Sequence, residues 1–277
     1  MTRILVTGHK GFIGSYVFDY LRHEMNYGYL VDGLDFPDDI GNFKGPEGMF
    51  AEHYDFVIHL AAFAALRDSI ENPEKFWENN VEKSKPIFDY CRKNNVRLLY
   101  ASSAGAHGWW MNPYAITKKV NEVQAPPNSV GMRFFNVWAE EGSRTDMLYR
   151  MLQDDTAKYL TRHKRDWIHI DDVCRAIVRL IPCDLTGIID LGSGQSTSVI
   201  ELAEAFHQGD LPIKEDTPGE PDELCAKLGQ LDKLGWYPTY DVLSIVRMHP
   251  GYEFNRRNVD ESTELETPQQ EGKEEET

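Results

Sequence analysis

The chain has 277 residues, of which 41% are hydrophobic, and its 45 acidic and 29 basic residues give a formal net charge of −16. This length and apolar content suffice for one large domain, alone or with a smaller lobe. The negative charge repels nucleic-acid backbones and anionic lipid surfaces, which argues against both as partners.

Cysteine spacing and hydropathy favour a reducing, cytoplasmic location. The cysteines are too widely spaced for a disulfide framework or a zinc site, so we expect no metal; they are Cys91, Cys174, Cys183 and Cys225. No apolar run approaches the ~18 residues of a membrane span, and the N-terminus lacks the apolar core of a signal peptide. We therefore expect a soluble chain that is neither exported nor bound to membranes.

Strands and helices alternate along the first 137 residues. Apolar runs predict strands at 3–7, 29–34, 55–60, 96–101 and 129–135, and helical spacing predicts helices at 15–25, 73–93 and 113–123. This alternation is typical of parallel βαβ units with right-handed crossovers. The fold class is therefore α/β, with a doubly wound parallel sheet in residues 1–137.

The pattern becomes irregular after residue 137. Residues 144–153 and 197–207 have helical spacing, and 187–191 is a short apolar strand. We expect residues 138–257 to form a small C-terminal lobe beside the sheet. The last segment, 258–277, holds eight acids, one lysine and almost no apolar residue, so we expect a disordered acidic tail.

A glycine series follows the first strand directly and opens the first helix. Gly8, Gly11 and Gly14 leave the backbone amides of the helix N-terminus accessible, which suits the pyrophosphate of a dinucleotide in a Rossmann-type sheet. The alternative is a tight strand-to-helix turn without a ligand. The strand and helix context favours the dinucleotide.

An acid at the end of the second strand would bind the adenine ribose. Asp32 and Asp35 are both candidates, and we prefer Asp35 because it follows the last apolar residue of the strand. A carboxylate there accepts a hydrogen bond from the 2′-hydroxyl and repels a 2′-phosphate, which favours NAD over NADP. Lys10, within the glycine turn, favours NADP, so NADP stays open.

Tyr114 and Lys118 stand four residues apart on a predicted helix, which places both on one face. A free tyrosine has a pKa near ~10 and is protonated at neutral pH. A neighbouring ammonium stabilises the phenolate and makes the phenol a usable base. The spacing is common by chance, so other motifs must support this interpretation.

Seven segments together resemble the extended short-chain dehydrogenase/reductase family, in particular its NAD-dependent nucleotide-sugar epimerases and dehydratases. They occur in unbroken order over residues 3 to 245, and they read TGHKGFIGS, HLAAFAALRDSIENPEKFWENNV, LLYASSAGAHG, PYAITK, RFFNVW, RDWIHIDDVCRAI and GIIDLGSGQSTSVIELAEAF. Such an ordered series is far harder to obtain by chance than one Tyr-x-x-x-Lys motif. The resemblance implies an NAD-binding Rossmann domain in residues 1–137 and a substrate-binding lobe in 138–257.

The resemblance also implies roles for individual residues. Tyr114 is the general base, Lys118 its partner, and Ser103 the hydroxyl that holds the substrate oxygen. Ser103 is preferred to Ser102 because it lies five residues before Gly108. The substrate ligands are Ser103, Asn136 and Arg165. The cofactor ligands are Gly8, Gly11, Phe12, Ile13, Gly14, Asp35, Leu60, Ala61, Ala62, Asn79, Tyr114 and Lys118, with Asn80 as the alternative to Asn79. Asp172 is interpreted as structural.

The function that the resemblance implies is an NAD-dependent nucleotide-sugar epimerase acting as a homodimer through helices 73–93 and 113–123. Dehydration is disfavoured because Ala104 and Gly105 follow Ser103, where dehydratases carry an Asp-Glu pair. One alternative is an NADP-dependent reductase or epimerase-reductase, since GHKG resembles the GHRG turn of GDP-fucose synthase. A non-catalytic dinucleotide-binding regulator is the other.

Two further features concern the substrate end of the site. Trp109 and Trp110 follow the serine strand and could stack on a base or sugar, or else pack in the core. The segment 218–224 reads PGEPDEL and lacks the arginine common there in relatives, so a second phosphate contact is in doubt.

Overall fold

The computed structural model describes residues 2–23, 28–35, 40–43, 53–215 and 217–248. The strands are, in chain order, β1 Arg3–Thr7, β2 Leu30–Leu34, β3 Phe56–His59, β4 Arg97–Ser103, β5 Ser129–Phe134, β6 Asn136–Trp138, β7 Lys164–His169, β8 Gly187–Leu191, β9 Ser196–Ser198 and β10 Glu223–Leu224. The α-helices are, in chain order, α1 Phe12–His23, α2 Leu66–Glu71, α3 Pro73–Trp77, α4 Lys85–Asn94, α5 Pro113–Gln124, α6 Leu148–Gln153, α7 Ile170–Leu180, α8 Val199–Ala205 and α9 Val242–Met248. The predicted acidic tail lies outside the described residues.

The main sheet has six parallel strands in the order β2-β1-β3-β4-β5-β8. Its central strands are buried on both faces; all four residues of β3, for example, are buried. The strand order reverses at β1, which pairs with β2 on one side and β3 on the other. In such sheets the ligand crevice lies beyond the carboxyl ends of the strands at this reversal.

Alternating side chains of the sheet pack into two separate helical layers. Ile4 belongs to the cluster that α1 and α7 cover, with Val17 and Ile177 among its buried members. Leu5 points to the other face and belongs to the cluster that includes Phe88 of α4. Helices therefore cover both faces, which confirms the predicted doubly wound α/β sheet.

A smaller lobe forms beside the carboxyl end of the sheet. In it β7 pairs in parallel with β6 and β10 and antiparallel with β9. Its separate core contains Trp138, Tyr149, Trp167 and Leu202, all at most 2% exposed. None of the helices in the described ranges combines the length and apolar character needed to cross a bilayer.

Two predicted elements differ in the structure. The prediction that the strand at 187–191 belongs to the lobe is wrong, because β8 pairs with β5 as the sixth strand of the main sheet. The predicted helix 73–93 is three segments, α3, a π-helix at Glu78–Glu82 and α4. Pro86 lies in the first turn of α4, and its missing N–H cannot continue the α-helical hydrogen bonding.

Candidate active site

A cavity of about 890 Å³ runs from the glycine turn, past the carboxyl ends of β4 and β5, to the lobe. Gly8 and Leu60, which follow β1 and β3, line one end, and Arg165 of β7 lines the other. Its volume is within the range of sites that bind a cofactor or small molecule. The cavity therefore occupies the place at which this topology binds ligands.

The glycine turn brings backbone into close contact with backbone. Gly8 has φ +74°, and a Cβ there would lie 2.6 Å from the Ala61 nitrogen. A Cβ on Gly14 would lie 1.9 Å from the Gly8 carbonyl oxygen. Helix α1 begins at Phe12, so its first amide groups, which have no intrahelical partner, lie at the cavity wall. This cradle fits a dinucleotide pyrophosphate.

Most of the predicted cofactor residues line the cavity. They are Gly8, Gly11, Phe12, Ile13, Gly14, Leu60, Ala62, Tyr114 and Lys118. Three predicted cofactor residues are not part of the lining: Asp35, Ala61 and Asn79. The Ala61 N–H donates to Thr7 Oγ1 at 3.3 Å, so this residue supports the glycine turn.

The two candidate acids of the second strand have different partners. Asp35 Oδ2 accepts a hydrogen bond of 2.7 Å from the Lys10 backbone N–H, which places its carboxylate beside the glycine turn. Asp32 Oδ2 instead accepts a hydrogen bond of 2.8 Å from Arg3 Nε. Asp32 is thus engaged by β1, which leaves Asp35 as the acid proposed to bind the ribose.

A buried histidine fixes the loop that follows β3. His59 Nδ1 lies 2.7 Å from Thr7 Oγ1, and its Nε2 lies 2.9 Å from Ser84 Oγ. Burial, together with the charge of Lys118, lowers the pKa of His59 to about 3, so the ring is neutral. Because Ser84 donates to the Asn80 carbonyl, its oxygen accepts from Nε2–H, which assigns the ring proton to Nε2.

The two asparagines of the π-helix have different hydrogen-bond partners. Asn80 is fully buried and pairs with the backbone of Phe63, accepting from its N–H at 2.8 Å and donating to its carbonyl at 2.9 Å. Asn79 donates only to the Asn80 side chain among these partners. Asn80 therefore holds the loop after β3. Neither asparagine lines the cavity, so Asn79 as a cofactor ligand, with Asn80 as its alternative, stays a prediction.

The two serines at the end of β4 have different hydrogen-bond partners. Ser102 is 2% exposed and its hydroxyl donates to Glu122 at 2.7 Å. Ser103 lines the cavity and accepts from the Gly105 N–H at 3.2 Å. Both serines line the cavity, but of the two only the Ser103 hydroxyl acts on the pKa of the Tyr114 phenol.

Tyr114 and Lys118 lie side by side on α5. The helix begins at Pro113, after Asn112 caps it by accepting from the Ala115 N–H at 2.8 Å. Lys118 Nζ lies 5.8 Å from the centre of the Tyr114 ring and donates to the Ala101 carbonyl at 2.9 Å. Burial lowers the pKa of Lys118 to about 8. The ammonium therefore lies near the phenol, as the spacing predicted.

The acidity of Tyr114 reflects opposing influences. Burial raises the pKa of the phenol, while the neighbouring Ser103 hydroxyl and the charge of Arg144 act to lower it. Arg144 lines the cavity and donates from Nε to Asp146 at 2.9 Å. Burial has the larger effect, so the pKa of the Tyr114 phenol lies above its ordinary value.

The predicted substrate residues converge on the lobe end of the cavity. Asn136 at the start of β6 and Arg165 of β7 both line it. Arg165 is 7% exposed and also donates to the Pro221 carbonyl at 2.9 Å. Trp109 and Trp110 are 43% and 67% exposed and do not line the cavity, so neither suggested role, stacking or core packing, holds for them.

Other cavity residues were not anticipated from the sequence. They are Arg67, Arg144, Asp146, Lys158, Tyr159, His163 and Glu220. No local motif distinguishes these residues, because tertiary folding brings them together from separate loops. Within the described ranges no group of three or more histidine, cysteine or acidic side chains is arranged to hold a metal ion.

Comparison with known sequences identifies the family. A profile of the NAD dependent epimerase/dehydratase family matches residues 4–192, more than half of the chain. The chain belongs to the NAD dependent epimerase/dehydratase family. It is an NAD-dependent enzyme of this family, and the glycine cradle is suited to that cofactor.

Individual relatives have 25% to 29% sequence identity to this chain, and the similarity extends over most of the enzyme. UDP-glucose 4-epimerase of Pisum sativum is 25% identical over 330 aligned residues, covering 88% of this chain and 93% of the relative. Protein CapI of Staphylococcus aureus is 29% identical over 230 residues, covering 65% and 69%. The similarity thus includes the lobe as well as the sheet.

Solved structures share the fold. UDP-glucose 4-epimerase with UDP-glucose from Thermotoga maritima aligns with a TM-score of 0.75 at 23% identity, over 89% of this chain and 97% of that one. MoeE5 in complex with UDP-glucose and NAD aligns with a TM-score of 0.77 at 21% identity, over 88% and 96%. The enzyme therefore has the architecture of these proteins.

A matched pair of serine variants tests the assignment of β4. Ser103→Ala should lower kcat by about 10²-fold, because the substrate oxygen loses a positioned donor. Ser102→Ala should keep kcat within about threefold and lower the unfolding free energy by about 1 kcal/mol through the lost bond to Glu122. Steady-state kinetics and urea denaturation measure both. A larger kcat loss in Ser102→Ala would reverse the assignment.

Proposed function

We propose that the enzyme is a nucleotide-sugar epimerase that oxidises a sugar hydroxyl transiently to a ketone and then restores it with inverted configuration. The observation that supports this proposal best is the arrangement of Tyr114, Lys118 and Ser103 on the cavity that the glycine turn also lines. A base, its cation and a hydroxyl donor are the groups that reversible oxidation of an alcohol requires.

Ser103, Tyr114 and Lys118 have separate roles in this reaction. Ser103 donates a hydrogen bond to the reacting sugar oxygen, and Tyr114 as phenolate takes the proton from that oxygen. Lys118 stabilises the phenolate by its charge. When bound, NAD supplies the hydride acceptor and later the hydride donor. After the keto sugar has rotated to present its opposite face, Tyr114 returns the proton to the sugar oxygen. Neither the cofactor nor the enzyme is changed overall.

Epimerisation is favoured over dehydration by what surrounds Ser103. Ala104 and Gly105 line the cavity directly after it. Neither side chain can move a proton, whereas elimination of water needs an additional acid or base near the departing hydroxyl. This feature supports epimerase activity within a family that includes dehydratases.

We also propose that the enzyme is a homodimer and that it is located in the cytoplasm. Trp77, at the end of α3, is 42% exposed and Val123 of α5 is 78% exposed. An exposed apolar face on these helices fits a homodimer in which both copies contribute α3 to α5. The four free cysteines fit a reducing, cytoplasmic compartment.

Identifying the bound dinucleotide and the product tests the function. Purified enzyme should release NAD on denaturation, and incubation with UDP-, GDP-, ADP- or dTDP-sugars should give an isomer of equal mass for one of them. A dehydrated product, 18 mass units lighter by loss of water, would contradict epimerisation. Release of NADP, or turnover that consumes added NADPH, would favour the reductase alternative.

A further inference from the structure

Three basic side chains surround one carboxylate at the lobe end of the cavity. Arg67 Nη2 lies 3.3 Å from Glu220 Oε1, and Arg165 Nη2 lies 3.2 Å from Glu220 Oε2. His163 Nδ1 lies 3.6 Å from the same Oε2. All four residues line the cavity. The carboxylate of Glu220 therefore occupies the centre of a basic cluster.

This cluster is assembled across the cleft. Arg67 comes from α2 beside the main sheet, whereas Arg165 comes from β7 of the lobe. Glu220 lies in the loop before β10, and its side chain is only 19% exposed. Arg67 also donates to the hydroxyl of Tyr159, a second lobe residue. The contacts of Glu220 thus connect the two sides of the cavity.

Two guanidinium groups and two carboxylates act at this cluster. Burial lowers the pKa of His163, so at neutral pH its ring is uncharged. Glu220 lies between the guanidinium groups of Arg67 and Arg165, and the charge of Asp222 also acts to raise the pKa of Arg165. Guanidinium groups bind carboxylates and phosphates with the same planar geometry. An anionic ligand group would therefore contact the positions that the Glu220 oxygens now occupy.

The sequence of this loop supports the same interpretation. Residues 218–224 contain three acids, Glu220, Asp222 and Glu223, and neither arginine nor lysine. The cluster therefore gains no cation from the loop and receives an anion from it. A ligand that reaches Arg67 and Arg165 has to compete with that anion.

We propose that Glu220 is an internal counter-anion that the diphosphate of the nucleotide sugar displaces, and that it thereby selects diphosphates over ligands of lower charge. This inference rests on the proposed function and concerns the substrate end of the same site. A diphosphate carries more negative charge than a carboxylate and can contact both arginines at once. A nucleoside monophosphate or a neutral nucleoside gains less from the exchange.

Calorimetric titration of the NAD-bound enzyme with three probes tests the proposal. The probes are inorganic pyrophosphate, UDP and uridine, and the variants are Glu220→Gln and, as a second neutral replacement, Glu220→Ala. Both variants should bind pyrophosphate and UDP about 10-fold more tightly, because a like charge has left the site. This gain in affinity should become smaller as the salt concentration is raised. Uridine should bind all forms equally.

Glu215→Gln is the matched control. Glu215 pairs with Arg162 at 3.1 Å, both side chains are more than 60% exposed, and neither lines the cavity. This variant removes the same charge from the same loop region, so it reports the effect of net charge alone. UDP should bind it as it binds the unmodified enzyme, within about twofold.

A double variant tests whether the gain in UDP affinity depends on Arg67. Adding Arg67→Ala to Glu220→Gln should remove most of the gain in UDP affinity, because one of the two competing cations is gone.

The outcomes separate this inference from the proposed function. Equal or weaker UDP binding by Glu220→Gln overturns the inference but leaves the epimerase proposal intact. Weaker uridine binding by that variant also overturns it and shows that Glu220 accepts from the nucleoside. Failure of every form, the unmodified enzyme included, to bind UDP or pyrophosphate would overturn a nucleoside-diphosphate substrate and the inference with it.

Discussion

Tyr114→Phe should lower kcat on a nucleotide-sugar substrate by about 10³-fold and leave NAD bound. The substitution removes only the phenol oxygen. The edge contact of the ring with Phe76, at 6.4 Å between ring centres, does not involve that oxygen. The Tyr114 backbone N–H also keeps its hydrogen bond of 3.1 Å to Ser69 Oγ. The folded protein should therefore persist while the base is lost.

The size of the effect follows from what remains in the site. Ser103 still holds the sugar oxygen, but among the described residues no acidic or histidine side chain hydrogen-bonds to Ser103, and water is a far weaker base. Tyr237→Phe is the control, because Tyr237 is 56% exposed and does not line the cavity. Its kcat should stay within about twofold of the unmodified enzyme. Dinucleotide content and steady-state turnover are measured for both variants.

Turnover by Tyr114→Phe within tenfold of the unmodified enzyme would contradict the assignment of the base. A variant that had lost NAD would report on binding instead, so the released dinucleotide must be measured on the same sample. Persistence of both NAD and turnover would direct attention to another proton acceptor near Ser103.

Local patterns were sufficient to predict the parts of the site that depend on short-range geometry. The spacing of Tyr114 and Lys118 fixes their shared face once α5 forms, and the cap by Asn112 and the Pro113 start explain why it forms there. The turn at Gly8 and Gly14 follows from strand, glycine and helix in succession. These features need little information from distant residues.

Features that depend on distant contacts were harder to predict. The return of β8 to the main sheet after the lobe strands leaves no local mark, because a short apolar strand fits either sheet. Asn79 and Asn80 are equivalent in sequence, and only the position of Phe63 distinguishes them. Arg67 and Glu220 are 153 residues apart, so their pairing exists only in the folded chain.

Lys118→Met should lower kcat by at least about 10²-fold and at the same time stabilise the folded protein at pH 7. Activity falls because the phenolate loses its neighbouring cation. Stability rises because the buried ammonium is costly: its pKa is lowered from 10.5 to about 8. Each pKa unit corresponds to ~1.4 kcal/mol, which gives a burial cost of about 3 kcal/mol. The lost bond to the Ala101 carbonyl offsets about 1 kcal/mol of that gain.

The pH dependence has a definite sign. Below pH 8 Lys118 is charged in both the folded and unfolded protein, so its full cost is present. Between pH 8 and 10.5 the unfolded chain holds the proton and the folded chain has released it, so the stability that Lys118 contributes rises with pH. The advantage of Lys118→Met in unfolding free energy should therefore shrink from pH 7 to 9.5. Urea denaturation at both pH values measures this change.

Lys119→Met is the control variant, because it also removes a lysine from α5 but not the buried one. Lys119 pairs with Glu122 at 3.1 Å and its side chain is 37% exposed, so it does not bear the same burial cost. Its difference in unfolding free energy from the unmodified enzyme should not vary between pH 7 and 9.5, and kcat should stay within about threefold. A stability difference for Lys118→Met that is equally independent of pH would show that the ammonium is not buried as the structure has it. The coupling of stability and activity at one residue would then be lost, and the cation beside Tyr114 would have to come from elsewhere.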